Sequence, residues 1–319
     1  MKTKNSENNE KFSYNDVYKM VTCRILDSLM KGQLPWREVC FAPKGGTAPY
    51  RNFVTGKAYS FLNCLLLGEP GEYASFSQIK ERGGHIKKGS TSKIVIFWGE
   101  FIPKEKKEEA KRLEEQGESI DHLKVRFPKY YRVYNMKDVE GVVRKSEADQ
   151  PAMESSLEPT DIARMAITDY GINKGVKVNE KPLTSNSTYN PLTDTVEVPD
   201  HKWFAYEEDW YAGIFRCLTH STAREDRCDR AKEYEKMITG EMSIKEELIG
   251  EIASSMLLSA CELHRKETHM QVDAVCQKYI QALENDYRLI VTASYAAEKA
   301  ARFILDDSSK AEETLEKAA

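Results

Sequence analysis

The sequence predicts an α+β protein in two parts, an α+β front module joined to a mostly helical rear one. Three observations predict it. In the first half, short β-branched and aromatic runs alternate with amphipathic stripes, whereas in the second apolar residues recur at helical spacing. The 319 residues suit about two domains of ~150 residues each. Charge divides the chain as well. Residues 1–150 hold 27 Lys+Arg against 20 Asp+Glu (+7), and residues 151–319 hold 20 against 31 (−11), giving −4 in all. A basic module joined to an acidic one points to a polyanion bound on one side only.

Composition excludes two classes. No run of roughly 18 apolar residues exists, so no membrane span is expected. With 40% hydrophobic and 10% aromatic residues, the chain can bury cores and is not disordered throughout. No apolar stretch follows the first lysines, so a secretory signal is not expected. Seven scattered cysteines without a C-x-x-C pair fit reduced thiols and a cytoplasmic protein.

The elements follow in order. Residues 1–12 read as a disordered tail. Ser13 with Asp16 resembles a capping box, and Val17, Val21, Ile25 and Leu29 at i+4 predict a helix stopped by Gly32. Pro35, Pro43, Gly45, Gly46 and Pro49 predict a loop. Tyr59 to Leu67 reads as a strand or a short buried helix. Ser75 to Arg82 reads as a helix closed by Gly83-Gly84. Lys93 to Phe101 is a strand by its β-branched and aromatic content, and Tyr130 to Tyr134 a second. The charged residues 103–121 between them read as a solvated excursion. A polar stretch, 145–159, separates a front domain (13–144) from a rear one (160–306), with a tail at 307–319. The rear domain opens with a helix from Thr160 to Tyr170 and has a strand at Thr195 to Val198. Trp210, Tyr211, Ile214, Phe215 and Leu218 form an apolar helical stripe. Further helices are expected around Ile244 to Leu263, Val272 to Glu284 and Tyr287 to Leu305.

In the front half, cations and rings interleave: Trp36-Arg37, Tyr50-Arg51, Lys57 with Tyr59, Lys87-Lys88, Lys93 with Trp98, and Lys129-Tyr130-Tyr131-Arg132. Single-stranded nucleic acid needs this pairing, because cations track phosphates and flat rings stack on unpaired bases. The competing reading puts Trp98 and half of the tyrosines in the core at alternating strand positions. The turn GGHIKKGS, residues 83–90, brings backbone amides and two lysines to where a phosphate could sit.

Four ordered motifs, PWR, RN-x-VTG-x-x-Y, GGH-x-x-KG and VYN-x-x-x-VEG, span about residues 14–141. Together they resemble the N-terminal domain of ArdC-type antirestriction proteins, which also occurs in some plasmid TraC-type primases. The resemblance implies single-stranded DNA binding on a mobile genetic element or phage. It nominates Trp36, Arg37, Arg51, Asn52, Thr55, Lys57, Tyr59, Asn63, Lys87, Lys88, Tyr131 and Asn135 as DNA contacts. The chain departs from the pattern by the charged stretch at 103–121 and by Phe61 where a glycine is expected.

Residues 160–305 resemble the second domain of the same proteins, a zincin-like metallopeptidase built on H-E-x-x-H. The register sets Arg216 at the first histidine, Cys217 at the glutamate, His220 at the second histidine and Arg224 at a trailing one. Two histidines at i and i+4 share a zinc, and the glutamate is the general base. Arginine cannot ligate, since it stays protonated, and Cys217 cannot replace a carboxylate base. The later ligand region falls on Glu247 and Glu251, with Glu247 preferred. Zinc, other cofactors and catalysis are therefore expected to be absent. Arg216 is expected to supply the missing positive charge by pairing with Glu247 or Glu251. Two alternatives stand beside this reading. One is a metallopeptidase using a rearranged Cys217/His220/Glu247 site. The other is an inhibitor whose partner is a host restriction or defence protein. His201, Cys228, His264 and His269 show no ligand spacing.

Overall fold

The computed structural model describes residues 14–41, 48–142, 157–181, 186–265 and 269–305. The tails, Ser13, the Pro43–Gly46 part of the predicted loop and residues 145–156 of the predicted separator lie outside these, as does the side chain of His269.

Helix α1 (Tyr14–Leu29) forms as its spacing predicts, with Val17, Val21, Ile25 and Leu29 all buried; Gly32, at φ +71°, ends the turn that follows it. A one-turn helix α2 (Pro35–Glu38) replaces part of the expected loop, started by Pro35 at its first position. Strand β1 (Tyr50–Asn52), buried helix α3 (Phe61–Leu67) and strand β2 (Gly71–Ser75) follow. Helix α4 (Phe76–Glu81) starts on a Ser75/Gln78 capping box. Strands β3 (His85–Ile86) and β4 (Lys93–Phe101) come next. The charged excursion is not bare loop: it folds helix α5 (Lys107–Glu115), which buries only Ala110. Strand β5 (Val125–Asn135) is longer than Tyr130 to Tyr134, and β6 (Val139–Glu140) closes the front module.

The main front sheet has the order β1-β2-β5-β4, with β1 parallel to β2 and the other pairs antiparallel; β3 and β6 pair separately. β4 is an edge, and Asn63 of α3 seals it. Its Nδ2 donates to the Ile96 carbonyl at 2.9 Å, and its Oδ1 accepts from the Ile96 amide at 2.6 Å.

The rear module begins with α6 (Pro159–Lys174), ended by Gly175 at φ +72°. Strands β7 (Lys177–Glu180), β8 (Thr188–Asn190) and β9 (Thr195–Val198) form a small sheet of order β7-β9-β8. Helices α7 (Glu207–Ser221), α8 (Ala231–Ile238), α9 (Ile244–Ala260), α10 (His269–Asn285) and α11 (Leu289–Ile304) complete it. Helix α9 is buried along nearly its whole length.

The two modules share one core. Helix α1 packs on α10 and α11, α2 on α9, and α3 on α11. Trp36 lies fully buried with its ring edge-on to Tyr279 of α10, centroids 5.6 Å apart. The Phe41 amide donates to Ser259 Oγ at 2.9 Å, the Phe61 amide to Glu298 Oε2 at 2.9 Å, and Thr22 Oγ1 to the Tyr287 carbonyl at 2.7 Å.

Candidate nucleic-acid face and candidate metal site

The front face grows from two neighbouring strands. β4 and β5 pair from Lys93↔Val133 to Phe101↔Val125. Alternation sends Ile94, Ile96 and Trp98 to one side, where Trp98 meets Tyr18 of α1 at 6.5 Å between centroids. The other side carries Phe97, Phe101, Phe127, Lys129 and Tyr131. Phe97 stands edge-on to Tyr131 (5.6 Å) and tilted to Tyr59 (6.5 Å), and Phe101 edge-on to Phe127 (5.4 Å). Lys129 Nζ lies 5.0 Å from the Phe127 ring centre. Gly99 makes room for it, since a Cβ there would sit 2.7 Å from Lys129 Cε. Tyr131 is 48% exposed and Phe101 37%. From Tyr131 to Phe127 the strip runs four residues, about 14 Å at ~3.4 Å per residue.

Two loops further along the front module carry exposed cations. The turn after β1 is tied by Asn52, whose Oδ1 accepts from the Val54 and Thr55 amides at 3.0 Å each, with Gly56 at φ +68°. This turn exposes Thr55 and Lys57 and touches the Tyr59 hydroxyl through Asn52 Nδ2 at 3.5 Å. The loop holding exposed Lys87 and Lys88 leads into β4 at Lys93, opposite Val133 and two residues from Tyr131. Lys87 Nζ donates to the Lys137 carbonyl at 2.9 Å.

The nominated contacts divide accordingly. Tyr131 is exposed on this face, and Thr55, Lys57, Lys87 and Lys88 are exposed on the two loops. Arg51 is half-buried and pairs with Glu72 at 3.0 Å. Four others serve the fold. Trp36 and Tyr59 are core residues, Asn63 seals β4, and buried Asn135 accepts from the Lys137 amide at 3.0 Å. Arg37 turns away from this face toward the rear module, as described below. Sequence reasoning missed Phe97, Phe101 and Phe127, although their period-two spacing and the mid-strand Gly99 carried the signal.

The second site lies between α7 and α9. His220 is buried, and its Nδ1 sits 3.0 Å from Glu246 Oε1. Arg230 grips the same carboxylate as a fork, Nε to Oε2 at 2.8 Å and Nη2 to Oε1 at 2.6 Å. Its remaining donors reach Thr222 Oγ1 and the Thr219 carbonyl. Burial alone would raise the Glu246 carboxyl, but the hydrogen bonds from Arg230 and His220 and their charges hold it below the usual carboxylate range. A carboxylate behind an imidazole is the arrangement that orients a metal-ligating histidine. Nε2 of His220 faces Gly250, where a Cβ would meet it at 3.0 Å and the ring Cε1 at 2.7 Å.

The rest of the ligand positions do not gather. Glu247 pairs with Lys278 of α10. Glu251 pairs with Arg37 of α2, from Arg37 Nε to Oε1 at 2.6 Å, with Arg265 Nη1 at 3.9 Å. The expected Arg216 pair is therefore corrected. Arg216 is exposed and forms no ion pair among the described residues, because Arg37 already holds Glu251 and Lys278 holds Glu247. Arg224 pairs with Asp194 (3.1 Å) and Asp226 (3.0 Å), far in role from a trailing ligand.

The rearranged Cys217/His220/Glu247 alternative is also corrected: these side chains do not bring three ligand atoms within 4.8 Å of one another. Burial drives the Cys217 thiol up to about 12, out of thiolate reach. Among the described residues, one trio does approach that closely: Glu180, Asp200 and His201, on the surface near β7. With its charge partners taken and its thiol protonated, the α7–α9 site does not fit a divalent metal.

Residues 15–134 match the family model of the N-terminal domain of anti-restriction factor ArdC, and residues 169–296 that of a zincin-like metallopeptidase. Two Escherichia coli proteins named DNA primase TraC are 26% and 23% identical to the chain over 303 and 297 residues, 90% of it in each case. The chain spans only 27% and 20% of their length. An uncharacterized protein of Sinorhizobium fredii is 24% identical over 93% of the chain and 94% of its own length. The metal-free crystal structure of the antirestriction ArdC protein from plasmid R388 superposes with a TM-score of 0.63 at 25% identity, covering 92% of this chain and 98% of that one. The Mn(II)-bound structure of the same protein gives 0.63 at 24%.

Proposed function

This chain belongs to the ArdC-like antirestriction family, with an ArdC N-terminal domain followed by a zincin-like domain, and we propose that its front module grips single-stranded DNA while its rear module hydrolyses nothing. The strip of Phe97, Phe101, Phe127 and Tyr131, with Lys129 among the rings, carries this reading. Unpaired bases stack on such rings, and duplex DNA hides the base faces they need.

The rear module supports the second half of the proposal. Hydrolysis at a zincin site needs three protein ligands and a base. Here Arg216 brings no lone pair, Cys217 is protonated, and Glu247 and Glu251 are bound to cations. The rear half's net −11 keeps it off a phosphate backbone and leaves its surface to a host restriction or defence protein. Among the described residues no helix is long and apolar enough to cross a membrane. We place the protein in the cytoplasm, carried by a plasmid, conjugative element or phage.

The test is fluorescence anisotropy with a labelled oligonucleotide, single-stranded and then annealed, across a salt series. The reading expects tighter binding of the single strand and a steep loss with salt. Equal affinity for both forms, or no affinity at low salt, removes it.

A further inference from the structure

The rings of the β4–β5 strip fall into two pairs with a gap between them. Phe97 and Tyr131 meet at 5.6 Å, and Phe101 and Phe127 at 5.4 Å. In the ladder Tyr131 faces Val95, Phe97 faces Lys129, Gly99 faces Phe127 and Phe101 faces Val125. The pairs are therefore centred four residues apart, about 14 Å at ~3.4 Å per residue. Gly99 lies in the gap. A Cβ there would sit 2.7 Å from Lys129 Cε, 3.0 Å from its Nζ and 3.0 Å from Phe127 Cζ, so the end of Lys129 folds over bare backbone between the two pairs. Charge on this side of the ladder has one sign. The paired stretches of β4 and β5 send Lys93 and Lys129 to it and no carboxylate, because alternation puts Glu100 on the other side with Arg126, which donates to it at 2.9 Å. Lys129 forms no ion pair among the described residues.

We propose that the strip is two base platforms divided by one phosphate-neutralising cation, and that it selects strands whose bases are unstacked, oligothymidylate over oligoadenylate. The inference rests on reading this face as a single-stranded DNA site; it adds which strand the site takes. In a continuous stack neighbouring bases lie ~3.4 Å apart and cover each other's faces. Two ring pairs about 14 Å apart need two free faces, so the strand between them must open. A thymine strand opens at little cost, whereas an adenine strand must first give up its own stacking. The phosphates of the opened segment then pass over Lys129. Gly99 acts as a positioning residue, since any side chain there would push the lysine out of the gap. Its backbone is ordinary strand, so alanine fits the ladder and displaces first the end of a flexible side chain.

The experiment follows anisotropy of the full chain with labelled oligothymidylate and oligoadenylate of equal length, across a salt series. The thymine strand is expected to bind about fivefold tighter or more. Lys129→Met should weaken its binding and remove ~0.7 from the slope of log K against log salt. Gly99→Ala should bind within about twofold of Lys129→Met, with thermal unfolding confirming that both variants are folded. Equal or tighter binding of oligoadenylate overturns the proposal. So does an unchanged salt slope in Lys129→Met, or a folded Gly99→Ala that binds like the wild type. The strand comparison and Lys129→Met decide the matter even where Gly99→Ala does not fold. Failure of the wild type to bind either strand at low salt instead removes the single-stranded DNA reading beneath the proposal, which is a separate result.

Discussion

Replacing Tyr131 by alanine removes the most exposed ring of the β4–β5 strip. About half of that ring faces solvent, and its edge leans on Phe97 at 5.6 Å, so few core contacts go with it. A base stacked on such a ring contributes about 1–3 kcal/mol, so Kd for a short oligothymidylate should rise roughly 5- to 150-fold. Tyr131→Phe keeps the ring and should bind within about twofold of the wild type. Anisotropy at fixed low salt measures both. Asn63→Ala is the counter-case. It strips two hydrogen bonds from the buried edge of β4, at about 1–3 kcal/mol for each group left unpaired, and should lower Tm while leaving the affinity of the folded protein alone. An unchanged Kd for Tyr131→Ala, or an equal loss on duplex and single strand, would refute the stacking argument.

Three further outcomes follow from named contacts. If Lys57, Lys87, Lys88 and Lys129 each neutralise one phosphate, log K should fall with log salt at a slope near ~−3, and Lys87→Ala with Lys88→Ala should remove ~1.4 of it; a salt series reads both. Arg230→Met strands the fully buried Glu246 charge, costing about 3–5 kcal/mol and on the order of 10 °C in Tm near neutral pH. Because Arg230 and His220 hold the Glu246 carboxyl below its usual range, its stabilisation is complete above that range and is lost as pH falls through the lowered folded value. The gap between variant and wild type should therefore shrink in acid, as calorimetry across pH would record. Finally, exposed Cys23 and Cys40 should alkylate readily at pH 8. Cys217 and Cys261, both pushed up to about 12 by burial, should stay silent until the chain unfolds, as mass mapping would register.

What the sequence made legible follows the physics of each signal. α1 and β4 could be read because i+4 and i+2 burial patterns are local, and α4 because the Ser75/Gln78 cap is local. β5 extends beyond the expected Tyr130 to Tyr134 and includes Pro128, a residue that disfavours a ladder. Yet β2 pairs with β5 only at 133–135, so Pro128 faces no strand on that side and costs no bond there. The rings were separable only through register. Trp36 and Tyr131 look alike in an aromatic–basic string, but one meets Tyr279 across the module boundary and the other stands on an open strand face. Arg37 misled for the same reason, since its partner lies 214 residues away. Glu246 was overlooked beside Glu247 because only the packing of α7 on α9 shows which of two adjacent carboxylates His220 reaches.

The central claim is that unpaired nucleotides lie along the β4–β5 face. Photo-cross-linking a halogenated single strand to the full chain and mapping the adducts by mass spectrometry addresses that directly. Adducts at Phe97, Phe127 or Tyr131, competed away by unlabelled single strand, are the predicted result. Adducts confined to the acidic helices α6 to α11, or spread evenly over surface lysines, would contradict it.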